Sequence, residues 1–128
     1  MIYLIDTHVL LWALENNPKL SNEARSILID THNEILISIA SLWEISIKLS
    51  IDKLELDYPF ERLLSEIDKL GFTVIPVSFE ALKILRTLPF HHKDPFDRLI
   101  ITEGIAAGIP IISDDPKFQG YGMEVIWK

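Results

Sequence analysis

The stretch that most constrains the fold runs from His91 to Asp115. Asp94-Pro95 has the grammar of a helix start: an aspartate to cap the first free N–H groups, then a proline in the first turn, where its missing N–H costs nothing. An apolar helical run follows as far as Gly108, which fits the left-handed position that stops a helix. Ile109-Pro110-Ile111-Ile112 then predicts a short buried strand delivering Ser113, Asp114 and Asp115 at its carboxyl end. A helix packed back on a parallel sheet runs against the strands, so its N-terminus lies beside their carboxyl ends. Asp97, in the first turn, is therefore expected to share one rim with Asp114 or Asp115.

The same alternation runs through the rest of the chain. Tyr3-Leu4-Ile5 predicts a first strand ending at Asp6, with Thr7 capping a helix through Leu14, and Ser21 caps a second helix. Residues 34–38 predict a second strand that flows into a helix with Trp43, Ile47 and Ile51 along one face. Tyr58-Pro59 starts another helix, with Phe60, Leu63, Leu64, Ile67 and Leu70 as its expected buried stripe and Gly71 as its end. Residues 72–75 predict a third strand, Ser78 caps a helix from Phe79 to about Leu88, and residues 124–127 a last short strand. Strands that are apolar throughout and alternate with helices imply an α/β fold, a mainly parallel sheet of four to five short strands with helices on both faces. The 128 residues, 48% of them hydrophobic, are expected to form a single domain over residues 1–128 with a sizeable core.

Composition then excludes several function classes. No apolar run approaches the roughly 20 residues of a membrane span, and the first residues carry neither a basic region nor a small-residue cleavage site. The absence of cysteine rules out disulfides and thiolate metal sites and fits a cytoplasmic protein. A net charge of −7, from 12 Lys+Arg against 19 Asp+Glu, counts against passive coating of nucleic acid. It is compatible with an enzyme that holds phosphates through a bound cation, and with a partner that carries a basic segment.

In open parallel sheets ligands bind outside the carboxyl ends of the strands. By that rule Asp6, Glu44, Asp97 and Asp115, from distant parts of the sequence, converge on one edge. Each also has an ordinary structural explanation. Ser41-Leu42-Trp43-Glu44 matches a capping box, as Asp94 with Asp97 does loosely, and Asp114-Asp115-Pro116 suits a turn. Lys48 and Arg98 stand four residues after Glu44 and Asp94, so they are candidate phosphate contacts and equally candidate helix-surface ion pairs. Jointly the acids say more. Carboxylates gathered within a few ångströms repel unless a cation neutralises them, and an all-oxygen donor set suits Mg²⁺ or Mn²⁺. Such ions activate water and steady the charge of a phosphoryl centre, so phosphodiester hydrolysis is the leading chemistry. The four histidines lack zinc-site spacing; His8 is near Asp6, while His91 and His92 are expected in an exposed loop.

The ordered motifs carry a resemblance to PIN-domain proteins, and within them to VapC-type toxins of toxin–antitoxin pairs. The matching segments are Leu4-Ile5-Asp6-Thr7-His8, Ser38-Ile39-Ala40-Ser41-Leu42-Trp43-Glu44-Ile45, the string from His91 through Asp94-Pro95-Phe96-Asp97-Arg98 to Ile100, and Ile112-Ser113-Asp114-Asp115. The resemblance implies a PIN-like fold and a Mg²⁺- or Mn²⁺-dependent endoribonuclease. Asp6, Glu44, Asp97 and Asp115 fall on that family's four acidic positions. Asp6, Asp97 and Asp115 would be metal ligands, and Glu44 a ligand or the group that orients the attacking water. Thr7, Asp94, Ser113 and Asp114 would support the site. The resemblance also implies a homodimer, RNA as substrate and a small antitoxin protein as partner. Asp114 departs from the pattern, since a basic residue is frequent there, and Asp115 is the expected ligand by its spacing from Ser113. The competing reading is a non-catalytic PIN-like module that grips a basic peptide with the acidic rim.

Overall fold

A computed structural model describes residues 1–128. Strand β1 (Ile2–Ile5) leads into helix α1 (Thr7–Glu15) and α2 (Asn22–Ile29), and β2 (Glu34–Ser38) runs without a loop into α3 (Ile39–Ser50). A tight turn over Phe60–Arg62 precedes α4 (Leu63–Lys69), followed by β3 (Thr73–Ile75) and α5 (Phe79–Leu85). Helix α6 (Pro95–Ala107), β4 (Ile111–Ile112), a second tight turn (Pro116–Phe118) and β5 (Val125–Ile126) complete the chain. The five strands pair in the order β3-β2-β1-β4-β5, and every pairing is parallel. No helix is long and apolar enough to cross a membrane.

β1 lies in the middle, and its side chains alternate between two cores as the pleat requires. Tyr3 and Ile5 join Ile35 and Ile37 of β2 on one face, under α1 and α4. Leu4 and Ile111 face the other way, against Ile100 and Ile101 of α6, Leu88 and Phe118. Both faces are thus covered, which is why these strands read as unbroken apolar runs. Leucine and isoleucine side chains buried in this way stabilise by about 1.5–3 kcal/mol each before chain entropy is counted.

Helix α6 forms as its sequence predicts. The Asp94 carboxylate caps the N–H groups of Phe96 and Asp97, and Gly108 closes the helix at φ 66°. The Ile109 N–H is engaged with Gly104 O and Pro110 has none to give, so β4 shrinks to two residues.

Four local expectations are corrected. The cap of α1 is Asp6 rather than Thr7, and the cap of α3 is Ser38 rather than Ser41, because the helices begin immediately after their strands. The face of α3 with Trp43, Ile47 and Ile51 is exposed, at 55%, 37% and 54%; the buried arc carries Ala40, Ser41, Leu42, Glu44 and Ile45 instead. In the 58–70 segment only Leu63 and Ile67 are buried, because the first turn winds too tightly to keep Phe60 on their stripe and Leu64 lies about 100° around the helix.

Candidate metal centre

Three strand ends and one helix start bring the acids together. Asp6 follows β1 directly and is buried. Its Oδ1 accepts the Val9 N–H at 2.8 Å and its Oδ2 accepts the Ser113 hydroxyl at 2.6 Å. Ser113 arrives from the neighbouring strand β4, because Ile5 and Ile112 are partners in register. The Ser113 oxygen also accepts the Asp115 N–H at 3.1 Å. Burial lifts the Asp6 pKa to about 6, against the lowering effect of those hydrogen bonds.

Asp97 occupies the first turn of α6, and burial followed by the charges of Asp94, Asp6, Glu44 and Asp115 lifts its pKa to about 8. Those four neighbours include the three other predicted acids, so the predicted convergence is present. Glu44 projects from the second turn of α3 and is buried; Lys48 Nζ holds its Oε2 at 2.8 Å, while its Oε1 has no partner. Asp115 is half-buried, whereas Asp114 is exposed. Asp94 acts through the backbone, as the cap that orients the turn bearing Asp97. Thr7 donates its hydroxyl to Ser41 Oγ at 3.0 Å and pins α1 to α3 beneath the rim.

Arg98 is turned away from both sequence expectations. Its guanidinium is buried and donates to the carbonyls of Leu88, Pro89 and His92 at 2.9–3.2 Å, with the Phe90 ring 3.8 Å from it. It pairs with neither Asp94 nor solvent, so it presents no charge to a phosphate. Lys48 is 38% exposed but held by Glu44.

His92 departs from its expected place. It is buried rather than on an exposed loop, because Arg98 and Tyr121 fold the 88–92 segment inward. Its Nε2 lies 3.0 Å from Asp97 Oδ2 and 2.9 Å from Asp115 Oδ2. The available signal was a histidine two residues before a capping aspartate whose helix opens with an acid. His91 stays exposed, with its ring against Tyr121, and His8 is exposed beside Trp12. A further buried acid, Glu103, lies two turns along α6 and was not singled out by its sequence context.

The donor set fits a hard divalent cation. The orphaned buried Glu44 Oε1, the mutual repulsion that raises Asp97 and the purely oxygen-bearing acids all ask for positive charge at this rim. The ligand atoms that lie within 4.8 Å of one another are those of His92, Asp97 and Asp115, and Asp6 and Glu44 are the further acids whose charges act on Asp97.

Sequence and structure comparisons bear on the family and the fold. The profile described as the PIN domain matches residues 3–122. The chain therefore belongs to the PIN-domain family. No curated protein matches it. Among solved structures its fold is similar to a chain of VapBC2 from Rickettsia felis bound to a DNA fragment from their promoter, at 21% identity and a TM-score of 0.73 over 100% of both chains. DNA-bound VapBC from Salmonella typhimurium gives 15% identity and a TM-score of 0.70, over 98% of this chain and 97% of that one. VapBC-1 from nontypeable Haemophilus influenzae gives 18% and 0.67 over the same shares, 98% and 97%. At these identities the likeness is one of fold.

Proposed function

We propose that this chain is a Mg²⁺- or Mn²⁺-dependent endoribonuclease and the toxin of a toxin–antitoxin pair. The observation that carries the reading is the anionic rim, where Asp97 is pushed up to about 8 by burial and by four surrounding carboxylates, and Glu44 Oε1 is left without a partner. PIN domains are generally nucleases, which supports the chemistry. The solved structures of similar fold are named as VapBC assemblies, which supports a small antitoxin as partner. We assign the protein to the cytoplasm and to a homodimer on the same grounds, and the net charge of −7 suits an antitoxin segment that is basic.

Asp6, Asp97 and Asp115 hold the cation in this reading. When bound, the cation lowers the pKa of a water and stabilises the negative charge that develops on the phosphoryl group. The chain's own residues do the rest. Ser113 and the Val9 N–H fix both oxygens of Asp6, so one carboxylate orientation is presented. Lys48 holds one oxygen of Glu44, and the unpartnered Oε1 would either ligate the cation or orient the attacking water.

The test is cleavage of RNA by the purified chain with Mn²⁺ or with chelator, beside Asp6→Asn and Asp97→Asn. The expected outcome is cleavage by the wild type with Mn²⁺ only, and none by either variant although both keep the native circular dichroism spectrum. Full activity in either variant overturns the assignment. A wild-type chain that takes up no Mn²⁺ in calorimetry yet binds a basic peptide would be the non-catalytic module.

A further inference from the structure

His92 stands between two of the acids, and its surroundings fix which nitrogen carries the proton. The Asp94 backbone N–H donates to His92 Nδ1 at 3.2 Å, so Nδ1 is an acceptor and bears no hydrogen. A proton on Nδ1 would set two donors face to face. With Nδ1 accepting, the ring N–H is placed on Nε2. Nε2 is hydrogen-bonded to Asp115 Oδ2 at 2.9 Å and lies 3.0 Å from Asp97 Oδ2.

The ring has little freedom to turn. His92 N–H donates to Tyr121 Oη at 2.7 Å, its carbonyl accepts from Arg98 at 3.2 Å, and its ring meets Phe118 edge-on at 5.4 Å. Tyr121 in turn donates to Pro89 O, so one tyrosine closes the segment on both sides of Phe90. These contacts account for the buried Arg98 and for the position of Tyr121, neither of which touches an acid of the rim.

The geometry points to His92 as a positioning residue of the metal centre: its Nε2–H, hydrogen-bonded to Asp115 with Asp97 alongside, holds the two carboxylates in one pose for the cation without ligating it. Direct ligation through Nε2 would require the hydrogen to move to Nδ1, the site that the Asp94 N–H already occupies. This inference rests on the proposed metal dependence, and its test separates the two.

Long-range ¹H–¹⁵N correlation spectra of the metal-free wild type are expected to show His92 Nδ1 unprotonated and Nε2 protonated. The opposite tautomer overturns the inference. In the Mn²⁺-loaded wild type, electron spin echo modulation is expected to show no directly coordinated ¹⁴N, and a coordinated nitrogen overturns it. By calorimetry, His92→Ala is expected to bind Mn²⁺ about tenfold more weakly, the usual effect of losing such a partner. His92→Gln, whose amide N–H reaches a similar point, is expected to recover most of that loss. Undiminished affinity in His92→Ala overturns this inference alone. Absence of Mn²⁺ uptake by the wild type overturns the proposed function and this inference together. If His92→Ala fails to fold, the two spectroscopic readouts on the wild type still decide.

Discussion

At neutral pH the Asp97 carboxyl of the metal-free chain holds a proton, because burial and then the carboxylates of Asp94, Asp6, Glu44 and Asp115 raise its pKa to about 8. A cation must displace that proton to use both oxygens. Mn²⁺ titrations at about pH 7, in buffers of different ionisation heat, should therefore register proton release that fades above about pH 9. The same raised pKa makes Asp97 a burden on the empty fold, since the ionised form is favoured in the unfolded chain. Asp97→Asn should raise the Tm of metal-free protein at about pH 8 and leave it nearly unchanged at about pH 5, where the wild-type carboxyl is protonated in the fold. Equal Tm values for variant and wild type at the higher pH would show that the rim is not under the repulsion described.

Helix α6 links this local chemistry to the fold, because one element supplies Asp94, Asp97 and Glu103. Its two ends have separable roles. At Gly108, φ is 66° and a Cβ would meet nothing within 4 Å, so Gly108→Ala should cost about 1 kcal/mol through backbone conformation alone and leave Mn²⁺ affinity unchanged. Asp94→Ala should cost a similar amount as a lost cap and also weaken Mn²⁺ binding, because the freed turn carries Asp97. Denaturant unfolding read beside calorimetry checks both, and loss of affinity in Gly108→Ala would contradict the separation. This helix was legible in the sequence because its cap, its proline and its glycine are local signals. The faces of α3 and the 58–70 segment were not. Trp43, Ile47 and Ile51 have a perfect helical spacing, yet which face turns inward depends on where α3 leaves β2. The four acids were legible because each follows shortly after a strand end or lies in the first two turns of a helix. His92 was not, because its burial is decided by Arg98 and by Tyr121, 29 residues away.

For the whole molecule these acids set how stability depends on pH. Asp6, Glu103 and Asp97 have folded pKa values of about 6, about 7 and about 8, each raised first by burial. Neither Glu103 oxygen has a hydrogen-bond partner, and the nearby Ser38 hydroxyl offsets only part of the effect. The folded chain thus binds more protons than the unfolded chain between ordinary carboxylate pKa values and these raised ones. Stability is fully present below that window and falls as pH rises through it, by about 1.4 kcal/mol per pH unit for each retained proton. Asp30 and Glu66 are shifted the other way, so their opposite slope acts only below the ordinary values of 3.8 and 4.5. Two of the three raised groups lie on the rim and one does not, which makes the contributions separable. Saturating Mn²⁺ binds only the folded rim, so it should restore stability at about pH 8 in the wild type. Glu103→Gln should flatten the metal-free profile between about pH 5 and 7 and leave the Mn²⁺ gain intact, because the amide needs no proton from solvent. Urea unfolding at several pH values, with and without Mn²⁺, reads all three effects. A metal-free wild type whose stability stays flat from about pH 5 to 8 would mean that these carboxyls ionise as freely in the fold as in the open chain.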